Sequence, residues 1–305
     1  MSRRLRFIPE GGALVEATCR TVHGRYLLLP TPELNEIIVG ILARARQRFE
    51  VGVCAFVFLT NHYHLLLQVE DAQQLARFMS YVNSKLAREA GRLAGWREKF
   101  WSRRYQAIVI SHEDAAQTER LKYILSHGVK EKLVARPQEW PGVHALRALL
   151  EGGPLEGLWF DRTQEYAARR RGKEFDRLQY ATPESLCLSP LPCWSHLSPS
   201  RQRERAADLV REIEAEAVAE RERTGIEPPG PAAIKAQHPH DAPNKPKKSP
   251  APLFHAATKA ARNALYEAYA WFVASFRAAA EKLKLGDLTA SFPSGSFPPG
   301  RFVAA

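Results

Sequence analysis

Two interleaved phases of period two run from Gly12 to Val22, with Leu14, Glu16, Thr18, Arg20 and Val22 against Val15, Ala17, Cys19 and Thr21. That period, with its β-branched bias, predicts a strand. At Thr31 the period changes. Leu34, Ile37, Ile38, Ile41, Leu42 and Ala45 recur at helical spacing behind Thr31-Pro32-Glu33, which supplies a capping hydroxyl, a first-turn proline and an acid. Arg44, Arg46 and Arg48 fall in the last turns, where positive charge suits the helix dipole. Val51 to Leu59 is nearly continuous in apolar residues and reads as a central strand. His62 to Val69 is its hairpin partner across the turn at Asn61. Glu70-Asp71 opens a second helix, with Leu75, Phe78, Met79, Val82 and Leu86 on one stripe and Lys85, Arg88 and Arg92 opposite. Tyr105 to Ile110 predicts a fourth strand. A further helix is expected from Glu113-Asp114 to about Leu133, with Leu121, Ile124, Leu125 and Val129 inward and Arg120, Tyr123, His127 and Lys130 on its other face.

The order strand, helix, strand, strand, helix, strand predicts an α+β fold of the ferredoxin-like, split βαβ type. Its four strands form an antiparallel sheet backed by two helices. A mostly helical C-terminal extension follows. Four units are expected: a first domain over 1–153, a charged helical extension over 154–227, a Pro/Lys-rich linker over 228–252, and an amphipathic helix with its tail over 253–305.

Charge sharpens the picture. The 305 residues carry 44 Lys and Arg against 33 Asp and Glu, a formal net charge of +11, which points to a polyanionic partner, nucleic acid first. The four cysteines have no C-x-x-C spacing, so neither a zinc knuckle nor a disulfide frame is expected. No apolar run suits a signal peptide or a membrane span, so a cytoplasmic location without a membrane partner is expected. Between Trp96 and Tyr105, cations alternate with rings. Lys99, Trp101, Arg103, Arg104 and Tyr105 suit single-stranded nucleic acid, although aromatic residues pinning a loop to the core would produce the same composition.

The candidate chemistry centres on His62 and His64. Two residues apart in a strand, they share a face and either hold a metal ion or are an ordinary histidine pair. Tyr123 and His127, four apart on a helix, share a side. Laid across the histidine face, they would complete a site in which a divalent ion polarises a phosphodiester and Tyr123 attacks phosphorus. Arg120 and Lys130 would assist. A second His-x-His, His238-Pro239-His240, is discounted as a metal site because proline separates the pair inside the linker.

Three ordered stretches carry a family resemblance: Ala55-Phe56-Val57-Phe58-Leu59-Thr60-Asn61-His62-Tyr63-His64-Leu65-Leu66, Phe100-Trp101-Ser102-Arg103-Arg104-Tyr105-Gln106-Ala107-Ile108, and Leu121-Lys122-Tyr123-Ile124. Glu139-Trp140-Pro141 falls where the family has a similar end of domain. Over about residues 5 to 150 the chain resembles the HUH-type single-tyrosine transposases, specifically the IS200-like and REP-associated tyrosine transposase family. The resemblance implies that His62 and His64 are the metal pair and Tyr123 the nucleophile. His127 stands where the family usually has Asn or Gln as third ligand. It implies a divalent metal cofactor, Mg²⁺ or Mn²⁺, and a single-stranded or hairpin DNA partner. The implied reaction is cleavage and rejoining of DNA through a 5′-phosphotyrosine during transposition. The chain departs from the family pattern at Thr60, where Pro is usual, and at His127-Gly128-Val129, where Asn-Pro-Val is common. A third imidazole should favour Mn²⁺ over Mg²⁺, which prefers oxygen. A monomer and a homodimer exchanging tyrosine helices are both compatible with the sequence. The alternative function is a domesticated, non-catalytic DNA- or RNA-binding protein on the same fold.

Overall fold

A computed structural model describes residues 4–171, 176–243 and 252–300. The first half follows the expected order: β1 (Ala13–Arg20), α1 (Pro32–Phe49), β2 (Gly52–Phe58), β3 (His62–Val69), α2 (Ala72–Leu93), β4 (Gln106–Ile110) and α3 (Asp114–Leu125). After these come α4 (Leu146–Glu151), β5 (Leu155–Phe160), α5 (Arg162–Arg170), β6 (Ala181–Leu186), α6 (Pro199–Thr224), α7 (Gly230–Lys235), β7 (Phe254–His255) and α8 (Lys259–Lys284). Among the described residues, no helix is long and apolar enough to cross a membrane.

The central sheet runs β2-β3-β1-β4-β7, antiparallel except for the last pair. Its register fixes what each face can do. Thr18 lies opposite His64 and Arg20 opposite His62, so Glu16, Thr18 and Arg20 share the histidine face. The other face turns Tyr63, Leu65 and Leu67 into the core with Phe78, Met79, Val82 and Leu86 of α2. Tyr63 donates its hydroxyl to Asn83 at 2.6 Å. Helices α1 and α2 therefore cover one face, while α3 lies on the histidine face against β2. The caps of the two long helices are those expected from sequence: Thr31 Oγ1 accepts from Leu34 N–H and Asp71 Oδ1 from Gln74 N–H.

Three features differ from the sequence expectation. The sheet has a fifth strand, because β7 returns from beyond the linker to pair in parallel with β4. The extension after 153 is mostly helical, but it begins with the antiparallel hairpin β5–β6, which packs on α1. That packing brings backbones together. A Cβ on Gly40 would stand 2.3 Å from the Leu158 carbonyl carbon, and one on Gly157 would stand 2.4 Å from the Gly40 nitrogen, so only glycine fits at either place. Thirdly, α3 stops at Leu125 rather than near Leu133. Gly128 adopts φ +90°, which is incompatible with a continuing helix, and its carbonyl accepts from Leu133 and Val134 N–H in a tight turn.

The described part of the Pro/Lys-rich segment is packed rather than extended. Helix α7 buries Ile234, and Tyr26 N–H donates to the Asp241 carbonyl at 2.9 Å. Residues 244–251, with the Lys245-Pro246-Lys247-Lys248 run, lie outside the described residues.

Candidate metal and tyrosine site

His62 and His64 come from β3, and His127 from the turn just past α3. One ligating nitrogen from each lies within 4.8 Å of the others. The tautomers follow from what holds the rings. Each Nδ1 faces an acceptor: Asn61 Oδ1 at 2.6 Å for His62, Glu16 Oε1 at 2.5 Å for His64, and the Ile124 carbonyl at 3.2 Å for His127. The Asn61 amide is itself oriented, because its Nδ2 donates to the Gly24 carbonyl at 3.0 Å. With all three Nδ1–H groups donating, every Nε2 keeps its lone pair. That is the state a metal-binding imidazole needs, with the outer hydrogen bonds fixing ring orientation.

Electrostatics act in the same direction. Burial, then the neighbouring His64 and cations, hold His62 and His127 well below the ordinary imidazole range, so both stay neutral. The Nε2 of His127 is buried with no hydrogen-bond partner in the protein, a costly arrangement unless a cation takes the lone pair. The donor set therefore fits a divalent ion, and a three-nitrogen site suits metals later than Mg²⁺.

Glu16, fully buried on β1, links the histidines to the tyrosine helix. Its carboxylate accepts from His64 on one oxygen and from Arg120 Nε on the other. Burial alone would raise its pKa. The hydrogen bond and charge of His64, then those of Arg120, outweigh burial and hold the group below the ordinary carboxylate range. Arg120 in turn places its guanidinium carbon 4.4 Å from the Tyr123 ring centre, and Lys130 Nζ stands 3.2 Å from that centre. The Tyr123 ring lies 4.8 Å from that of His127 and 5.8 Å from that of His64, and remains 37% exposed. Its phenol is pushed up, by burial first and then by the Glu16 carboxylate. Lys130 is lowered to about 8, mainly by burial.

The turn that carries His127 is pinned from several sides. Gly128 N–H donates to Glu131 Oε2 at 2.6 Å, and Trp140 Nε1–H donates to the Phe58 carbonyl at 2.9 Å. Helix α6 braces α3 from outside, where Lys122 Nζ donates to both Glu212 and Glu216 at 2.8 Å.

The structure brings Tyr123, His62, His64, His127, Arg120 and Lys130 together. It places the other five expected DNA contacts elsewhere. Lys99, Arg103 and Arg104 are exposed, Trp101 is half-buried with its indole N–H donating to the Asn83 carbonyl at 2.9 Å, and Tyr105 is buried beneath Arg6. All five line a cavity against α2, on the face of the sheet opposite the histidines. Arg120 is engaged by Glu16 and is therefore a charge inside the site rather than an open phosphate contact. Glu16, Arg20 and Glu131 were not expected in the site. Glu16 and Arg20 fall in phase on the first strand, and once that strand is paired with His62 and His64 their phase places them beside the histidines. His238-Pro239-His240 serves packing: His240 Nε2 lies 2.8 Å from the Ala94 carbonyl and its ring meets Trp96 edge-on.

Comparison with known proteins adds the following. Residues 22–127 match the family model described as "Transposase IS200 like". Among solved structures, a REP-associated tyrosine transposase bound to a REP hairpin is similar at 15% identity and a TM-score of 0.41, covering 50% of this chain and 86% of that one. A candidate transposase from Deinococcus radiodurans R1 is similar at 16% identity and a TM-score of 0.28, covering 40% of this chain and 95% of that one. No curated protein matches the sequence.

Proposed function

We propose, from the premise that residues 22–127 are an IS200-like transposase segment, that this protein cleaves and rejoins single-stranded or hairpin DNA through Tyr123. The observation that carries this is the convergence of three Nε2 lone pairs, each fixed by an Nδ1 hydrogen bond, beside a half-exposed tyrosine ring. His62, His64 and His127 would hold the divalent ion, which when bound would polarise the scissile phosphate and favour the phenolate. Tyr123 Oη then forms a bond to phosphorus, the P–O3′ bond breaks, and the departing oxygen becomes a 3′-hydroxyl by taking a proton. The phenolic proton leaves as the bond forms. Arg120 and Lys130, over the tyrosine ring, stabilise negative charge on Oη while Glu16 keeps Arg120 and His64 in place. The phosphotyrosine conserves the energy of the broken bond, so a second 3′-hydroxyl can reverse the step and join strands.

End-labelled single-stranded DNA from the gene's own flanks, incubated with protein and Mn²⁺ or Mg²⁺, should give a covalent protein–DNA band on a denaturing gel. Tyr123→Phe and His64→Ala should both abolish it. Tight binding with no adduct under either metal would replace this reading with a non-catalytic DNA- or RNA-binding protein.

A further inference from the structure

The opposite face of the sheet carries cations that the chemistry above leaves unused. Two cavities adjoin along α2, of about 1110 and 860 Å³, and share Arg6, Ala76 and Ser80. Arg4, Lys99 and Arg103 line the first and Arg48 and Arg77 the second, while among the described residues neither cavity is lined by an Asp or a Glu. So one-sided a lining is electrostatically unfavourable until an anion enters. Two buried polar atoms in the groove also lack a hydrogen-bond partner: the hydroxyl of Tyr105, a residue only 8% exposed, and Nε of Arg6. Ring faces stand among the cations. The guanidinium of Arg6 lies 5.2 Å from the ring centre of Tyr105 and 5.1 Å from that of Phe297, and Phe297 is itself 44% exposed.

We infer that this helix-side groove holds a single strand of DNA, with phosphates along the arginines and lysines and bases against the rings. DNA as the polymer rests on the function proposed above, whereas the place of the strand follows from the groove itself. The groove also leads toward the histidines. Ser102 N–H donates to the Arg20 carbonyl at 2.9 Å, Cys19 Sγ donates to the Arg103 carbonyl at 3.4 Å, and Arg20 lies opposite His62 in the sheet register. A strand seated beside Arg103 therefore passes the end of β1 and arrives at the metal site. The α2 side becomes a track for the DNA that flanks the cleaved bond.

The test uses the full chain and a fluorescein-labelled oligo(dT) of about 20 nucleotides, read by anisotropy over a salt series. Arg77→Glu combined with Lys99→Glu alters two exposed residues far from the histidines. The pair should weaken binding roughly tenfold or more and flatten the slope of log affinity against log salt by about two, one per lost phosphate contact. Tyr123→Phe should bind oligo(dT) like the natural chain. Unchanged affinity and slope in the double variant would overturn the groove, as would a duplex of equal length that competes as well as oligo(dT). A natural chain that forms no covalent adduct, yet loses oligo(dT) binding in the double variant, would sink the catalytic reading and leave the groove standing. Equal thermal midpoints for the two proteins confirm that folding is not the cause.

Discussion

The two faces of one sheet treat positive charge in opposite ways. On the histidine face the cations are tied to buried carboxylates: Arg120 to Glu16, and Lys130 3.8 Å from Glu131. On the helix face, Arg6, Arg48 and Arg77 line a groove without any acid among the described residues. A paired, partly buried cation is held in place and can position a reacting group. A cation without an acidic neighbour keeps its attraction for an incoming polyanion, at the cost of salt sensitivity. The difference separates a site built for geometry from a surface built for a polymer.

That contrast can be broken most forcefully at Glu16. Glu16→Ala leaves Arg120 largely buried without its partner, and should cost about 3–5 kcal/mol of stability in urea unfolding. It also frees the His64 ring, so Mn²⁺ affinity measured by calorimetry should fall roughly 10- to 100-fold. An unchanged melt and unchanged metal affinity would mean that the pairing has no structural role.

The next largest effect is expected at Gly128. An added Cβ would stand 3.0 Å from the Trp140 ring and 3.2 Å from Val134, at a φ that L side chains rarely adopt. Gly128→Ala should cost roughly 1–3 kcal/mol and displace His127, lowering Mn²⁺ affinity with it. Loss of stability with metal binding intact would show that the turn does not position His127.

Lys130 sharpens the contrast through pH. Burial lowers its ammonium to about 8, so it is cationic below that value and neutral above it. If its charge stabilises the Tyr123 phenolate, adduct formation should decline as pH rises through about 8. Lys130→Arg, which stays charged, should move that decline to higher pH. A profile identical in both proteins would remove Lys130 from the reaction.

The smallest effect is expected on the helix face. Arg77→Glu should change stability by no more than about 0.5 kcal/mol in the same urea assay, because Arg77 is exposed and pairs with no carboxylate there. A large destabilisation would place Arg77 in the framework rather than in a groove for DNA.

Most of the site was legible because its residues obey simple periods. His62 and His64 are two apart in a strand, and Tyr123 and His127 are four apart at the end of a helix. What escaped was set by tertiary pairing. Glu16 looks like an ordinary outward position until β1 is placed beside β3. The end of α3 was misread because Leu121, Ile124, Leu125 and Val129 keep a helical rhythm through a glycine whose φ only the turn reveals. Strand β7 is two residues long, below any periodic signal, and β5 and β6 pair across an intervening helix. At Lys99–Tyr105 both readings of the composition hold in part: Trp101 and Tyr105 are anchored in the fold, while Lys99 and Arg103 face outward.

The central claim is that Tyr123 attacks DNA beside a metal held by His62, His64 and His127. Its most direct test is mass spectrometry of the protein after incubation with single-stranded flank DNA and Mn²⁺, nuclease trimming and proteolysis. The account predicts a nucleotide phosphate linked to the peptide containing Tyr123, absent in His64→Ala and absent without metal. A nucleotide on any other residue, or none on a protein that demonstrably binds the DNA, would contradict it.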